Sequence, residues 1–212
     1  MTTDNTIDII YQDEALLIVD KPAKLLSVPG RGPDKQDCLI NRLIAQGFSD
    51  ALIVHRLDYA TSGIMVVARS KAIHKALSIL FQNREIGKSY QAIVWGKMKA
   101  TQGTIEQPLR CDWENRPLQI VDYEWGKNAI THWQVTEQTA DTSRIMLFPE
   151  TGRSHQLRVH LQWIKHPICG DEFYAFKDAL NYSERLCLHA QTLSFTHPVS
   201  NQAMAFEIPS PF

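Results

Sequence analysis

No run of apolar residues in this 212-residue sequence approaches the ~20 needed to cross a bilayer as a helix. The start, MTTDNTIDII, is polar and acidic, unlike a signal or transit peptide. The four cysteines, Cys38, Cys111, Cys169 and Cys187, contain no CxxC pair. That pattern argues against a disulfide framework or zinc ribbon and for reduced thiols in a cytoplasmic protein. Also missing are G-x-x-x-x-G-K-[ST], G-x-G-x-x-G and G-x-S-x-G, and with them the parts for nucleotide hydrolysis, dinucleotide redox chemistry and serine hydrolysis. HRLD at 55–58 is a false kinase signature. The kinase order is H-R-D, and the chain has no glycine-rich phosphate loop, no strand lysine of the V-A-I-K type and no D-F-G, for which GDEFY at 170–174 is no substitute. With no repeat, low-complexity tract or linker, the expectation is a single catalytic-type domain over 1–212. Its first strand begins too early to leave space for an appended N-terminal binding domain.

What is present starts with charge that is uneven along the chain. Net charge is −1, yet residues 21–99 hold 13 Lys and Arg against 5 Asp and Glu. Residues 1–20 hold five acids and no Lys or Arg, and residues 100–212 hold 9 basic against 13 acidic residues. Charge asymmetry alone first suggests solvated helix faces; a polyanion-binding surface is the alternative. At 44% hydrophobic, the chain has the material for a full core, in one domain or two packed lobes.

The opening IDIIYQDEALLIVDKP predicts two short strands around a turn at Gln12 to Glu14, stopped by Pro22. Asp37 is placed to cap a helix through Leu39, Leu43 and Ile44 that ends at Gly47. GIMVVARS has the length and β-branching of a buried strand. Ser70 precedes KAIHKALSILFQNRE, whose Ile73, Ala76, Leu77, Leu80 and Phe81 recur at helical spacing. SYQAIVWGK alternates as a strand. LQIVDY, AITHWQVTE, SRIMLF, LSFTHP and MAFEIP are further strands, with one helix, HQLRVHLQWIK, among them. Strands outnumber helices without regular alternation, which predicts an α+β fold with a large mixed or antiparallel sheet.

Three stretches carry candidate chemistry. In VHRLDYATSG, residues 54–63, a polar turn between two apolar segments bears Asp58, with Arg56 two residues earlier and donors at Thr61 and Ser62. A turn aspartate ordinarily makes an Asx hydrogen bond to its own backbone. A loop held between buried strands is equally a place to fix a reactive side chain. In ETGRSHQLRVHLQWIKHP, residues 150–167, Thr151 and Gly152 turn into a helix that puts His155, Arg158 and Val159 on one face. His155 and His160 are five residues apart, which suits no metal pair on one helix face, so no metal is expected. Arg153 and Arg158 suit anions, one a phosphate and the other a carboxylate; the plain alternative is a surface salt bridge. Tyr90, at the start of its strand, is either core filler or a flat platform for a ring-shaped substrate.

Taken together, HRLDYATSG, TGRSHQLRVH and KSYQAIVWG resemble the motifs of the RluA-type pseudouridine synthases, which isomerise uridine to pseudouridine in RNA. The resemblance runs over nearly the whole chain, from IIYQDEALLIVDKP to MAFEIPSPF. LLSVPGR and CDWENRP resemble the small members of dual specificity. The family's usual K-P-x-G is KPAK here, with Lys24 where glycine is common. The resemblance implies a pseudouridine synthase fold with flanking helices and a central catalytic cleft. It also implies Asp58 as nucleophile, Arg158 as its ion-pair partner and Tyr90 stacked on the uracil. Arg56 would fill the gap left by the flipped base, with Arg153, His155 and the lysines of 21–99 toward phosphates. The implied partners are RNA stem-loops, the tRNA anticodon arm and a 23S rRNA hairpin, and an isomerisation without redox or phosphoryl transfer needs neither cofactor nor metal. No membrane partner is expected, and with no assembly signature in the sequence a monomer is the default expectation. Two other readings stay open. One is a non-catalytic RNA-binding module, which leaves Asp58 unexplained. The other is an aspartate-dependent glycosidase-type hydrolase, which needs a second carboxylate such as Glu150.

Overall fold

The structure, a computed structural model, describes residues 5–212; the first four residues of the polar start lie outside them. The chain forms two compact units. One comprises residues up to Gly87 together with Ala190–Ser210, the other Lys88–His189 with Pro211–Phe212. In chain order, the first unit supplies β1 (Asp8–Gln12), β2 (Leu16–Lys21), α1 (Leu39–Ala45), β3 (Leu52–Ile53), β4 (Ser62–Ala68) and α2 (Lys71–Gln82). There follow β5 (Gly87–Trp95), β6 (Gln102–Glu106), β7 (Leu109–Cys111), β8 (Gln119–Val121), β9 (Ile130–Gln138), β10 (Thr142–Pro149), α3 (Gln156–Trp163) and α4 (Lys177–Asn181). Strand β11 (Leu188–Thr196) returns the chain to the first unit, where β12 (Ala203–Glu207) pairs with it. The α+β class read from the strand-rich pattern is what the chain adopts.

In the first unit, β1 and β2 form the expected hairpin. Asp13 at the turn accepts the backbone N–H groups of Ala15 and Leu16 at 2.8 Å each. Strand β2 pairs antiparallel with β4, all seven of whose residues are buried. One face of β4, Ile64, Val66 and Ala68, packs with Leu16 and Ile18 of β2, Leu77 of α2, Leu193 and Phe195. Ser70 caps α2 as expected, its hydroxyl accepting from the Ile73 N–H at 3.3 Å. Asp37 does not cap α1. The N-cap is Cys38, with no side-chain bond, because Asp37 is drawn into a bidentate pair with Arg42 at 2.7 Å on both oxygens. A guanidinium one turn into the helix is the stronger partner.

In the second unit, β5, β10, β9 and β6 are neighbours in that order, with β10–β5, β10–β9 and β6–β9 all antiparallel. β7 and β8 form a separate antiparallel pair, whose Leu109 packs with Ala129, Val159 and Tyr174. The first six residues of α3 are buried, including three polar ones, Gln156, Arg158 and His160. Each of those three is hydrogen-bonded. Burial without partners would cost more than such a helix returns.

Candidate active site

Asp58 sits in the first unit on an irregular loop between β3 and β4. The sequence predicts two apolar strands around a polar loop that carries Asp58 and a Thr61-Ser62-Gly63 turn. The structure differs: β3 is two residues long, Ser62 and Gly63 already belong to β4, and the turn is at Tyr59 and Ala60. It is closed by the Thr61 N–H donating to the Asp58 carbonyl at 3.1 Å. What holds the loop is a second loop after β2. The Ser27 hydroxyl donates to the Leu57 carbonyl at 2.9 Å and accepts the Leu57 N–H at 3.2 Å. The Leu25 N–H donates to the Tyr59 carbonyl at 3.2 Å. Both chain neighbours of Asp58 are therefore tied down, which fixes the position of its Cα.

Lys21 completes this scaffold from inside. Its side chain is fully buried, and its ammonium donates to the carbonyls of Pro22 and Leu25 at 2.8 Å each and, at 3.5 Å, to that of Tyr59. Lys24, standing where the family has glycine, has φ +60°, the conformation that glycine takes at little cost. The loop keeps the glycine shape with a lysine in it. His55 packs on Phe81 with ring centroids 4.6 Å apart and accepts the Val66 N–H on Nε2 at 3.1 Å. Arg56 is exposed, Asp58 half-buried. Gly63 has φ +114°, and a Cβ on it would lie 2.2 Å from the Ala190 carbonyl oxygen, so β4 approaches that backbone only through glycine.

The second unit carries the other predicted residues. Tyr90 lies half-buried in β5, opposite Leu147 of β10. The turn before α3 is built by Gln156. Its carbonyl oxygen accepts from the Thr151 hydroxyl (2.8 Å) and the Arg153 N–H (3.0 Å), while its amide donates to Ile130 and Thr131 on β9. Arg153 is exposed, its Nε reaching the Asn128 carbonyl at 3.1 Å. His155 is not on the helix, as its spacing suggests, but is the N-cap, in a left-handed conformation with φ 53° and ψ 16°.

Within this unit Arg158 pairs with Asp171, a carboxylate that the motifs do not name. Nε and Nη2 donate to the two oxygens at 2.8 and 2.6 Å, with the side chains 4% and 0% exposed. Removing one partner from such a buried pair costs about 3–5 kcal/mol. No local signal in the sequence marks this pair: Asp171 belongs to GDEFY, which lies outside the three motif stretches. On α3, His160 accepts from Thr131 and reaches the Gln107 carbonyl at 3.1 Å. Burial pushes its pKa below the ordinary 6.5, with the Gln107 hydrogen bond opposing. Glu150, the second carboxylate that a hydrolase would need, is paired with His132 at 2.7 Å. Among the described residues no group of three or more His, Cys, Asp or Glu is placed to hold a metal ion.

Comparison with known proteins adds to this geometry. Residues 15–163 match the family described as RNA pseudouridylate synthase. The chain is 49% identical over 205 residues to the dual-specificity RNA pseudouridine synthase RluA of Salmonella typhi, covering 96% of this chain and 93% of that protein. It is 48% identical over the same shares to RluA of Escherichia coli K12. Among solved structures, human RNA pseudouridylate synthase domain containing 1 superposes with a TM-score of 0.81 at 27% identity, over 98% of this chain and 85% of that one. The human domain containing 4 protein gives 0.76 at 25% identity, over 96% and 88%. None of these names points to a hydrolase or to a non-catalytic binding module.

Proposed function

The chain belongs to the RNA pseudouridylate synthase family and isomerises uridine to pseudouridine in RNA; we propose that its substrates are hairpin loops, in 23S rRNA and in the anticodon arm of tRNA, and that Asp58 is its nucleophile. The observation that carries the assignment of Asp58 is its setting. It is a half-buried carboxylate whose two chain neighbours are clamped by Ser27 and Leu25, so the reactive group is held at a fixed place on its loop.

A base inside a stack does not expose its glycosidic bond, so the uridine must flip out, at a cost of a few kcal/mol that is least in a loop. Stacking on Tyr90 returns about 1–3 kcal/mol of it. Arg56, exposed on the same loop as Asp58, fills the vacated place in the RNA stack. Asp58 attacks the sugar or removes a proton from it, and the N1–C1′ bond breaks. The uracil turns, C5 bonds to C1′, the C5 proton leaves and N1 takes one up. The product is an isomer of the substrate, so the step consumes no oxidant, reductant or phosphoryl donor. By the family resemblance Arg158 is the cation that serves the nucleophile, and Arg153 and His155 face RNA phosphates. The same reading makes the protein a cytoplasmic monomer.

The test is tritium release from transcripts labelled at C5 of uridine, with tRNA and 23S rRNA fragments offered separately. Wild type releases label from both, and Asp58→Asn binds RNA with unchanged affinity but releases none. An active Asp58→Asn variant would remove that residue from the chemistry. Release from one RNA class alone would reduce the dual specificity to single.

A further inference from the structure

Turn 171–174, Asp-Glu-Phe-Tyr, touches two of the residues that the motifs single out. Asp171 takes one edge of the Arg158 guanidinium with both oxygens, and its Oδ1 also accepts the backbone N–H groups of Phe173 at 2.9 Å and Tyr174 at 3.2 Å. The acceptor is thus as fixed as the donor. The Phe173 and Tyr174 rings lie 5.1 and 5.2 Å from the Arg158 Cζ, so direction and plane of the cation are both restrained.

The same turn holds His155. Phe173 stacks on its ring at 5.7 Å and 25°. The Tyr174 hydroxyl lies 2.7 Å from His155 Nδ1 and accepts the Gln119 backbone N–H at 2.9 Å. With its oxygen accepting from Gln119, that hydroxyl has the geometry to direct its own proton at Nδ1; in that arrangement Nδ1 accepts and the imidazole hydrogen is on Nε2. His155 is held like this in a left-handed backbone conformation, uncommon for a residue that carries a Cβ.

Accordingly, we infer that the 171–174 turn is a positioning element for the isomerisation: Asp171 fixes the direction in which Arg158 presents its charge, and Tyr174 fixes His155 as the Nε2–H tautomer, a neutral donor toward an oxygen of the RNA. The inference rests on the reading above that Arg158 and His155 serve the reaction. Asp171 and Tyr174 touch no substrate themselves; they act through the two residues they hold. A purely structural role for the turn would lower stability and leave the rate per folded molecule alone.

Tyr174→Phe is the main test, because it deletes one hydroxyl and keeps the ring. Folded fraction is measured by circular dichroism, kcat and KM by tritium release, and the His155 tautomer by ring 15N shifts in the RNA-free protein. The wild-type ring shows hydrogen on Nε2 and an unprotonated Nδ1. Tyr174→Phe mixes the tautomers and lowers kcat about tenfold or more, with KM changed by less than about threefold. Asp171→Asn lowers kcat likewise, and Asp171→Glu recovers part of the loss. Hydrogen on Nδ1 in the wild type overturns the inference, as does Tyr174→Phe with wild-type kcat, or a loss accounted for by the unfolded fraction. If wild-type protein releases no tritium from any RNA, it is the functional reading that fails, and the ring shifts still decide the tautomer. If Arg158→Lys and His155→Gln turn over normally while wild type is active, there is no function for the turn to support, and the inference falls with them.

Discussion

Gly63 and Gly152 flank the two motif regions and face opposite tests. Gly63 combines φ +114° with a backbone oxygen 2.2 Å from any added Cβ, whereas the nearest atom to a Cβ at Gly152 is the flexible Lys88 Nζ, 3.9 Å away. Gly63→Ala is therefore expected to cost about 3 kcal/mol or more in denaturant unfolding, and Gly152→Ala less than about 1 kcal/mol. His160 sets a second expectation at this scale. Its folded pKa lies below 6.5, so the unfolded chain binds a proton that the folded one refuses. That contribution to stability is complete above the unfolded value and is lost as pH falls through it toward the folded value. The limiting slope is about 1.4 kcal/mol per pH unit. Unfolding curves of wild type and His160→Gln across this range should converge on the acid side. Parallel curves would show that His160 does not contribute.

Helix starts illustrate how differently local rules fare among the elements. Ser70 caps α2 as its position suggests, and Ser70→Ala should cost about 1 kcal/mol by chemical denaturation. Asp37 is in the same sequence relation to α1 yet pairs with Arg42, with its side chain 61% exposed, so Asp37→Ala should cost well under 1 kcal/mol, about what a surface ion pair contributes. Equal losses for the two would mean that Asp37 does act as a cap. The same locality explains which strands were legible. β4, β5, β9 and β10 are long and apolar enough to declare themselves. β3 has only two residues, and β6 buries one residue of five, Ile105, so neither carries a usable period. α4, five residues long, is too short for one.

For the molecule as a whole, the thiols report on folding. Cys38 in the first unit and Cys169 and Cys187 in the second are buried, while Cys111 is only half-buried. Burial, with the neighbouring Cys187 adding to it, pushes the Cys169 thiol up to about 12, where it has almost no thiolate at neutral pH. Ellman's reagent should titrate one thiol, Cys111, in the native protein and the other three only as the chain opens. Single-cysteine variants would then show which unit opens first. A second fast thiol in native protein would contradict the burial described.

The α+β class, the long strands and the helix after Ser70 are legible in the chain alone, because hydropathy period and capping chemistry act within a few residues. Arg56, Asp58, Tyr90, Arg153, His155 and Arg158 stand out through the family resemblance of their motifs. What holds those residues in place is set only by the completed fold. Ser27 meets Leu57 from 30 positions away, Lys21 reaches Tyr59 across 38, and Asp171 closes on Arg158 from 13 positions further along the chain. No local period links such pairs. They form because a carbonyl, a hydroxyl or a guanidinium taken out of water must find a partner, and only the completed fold determines which groups are within reach.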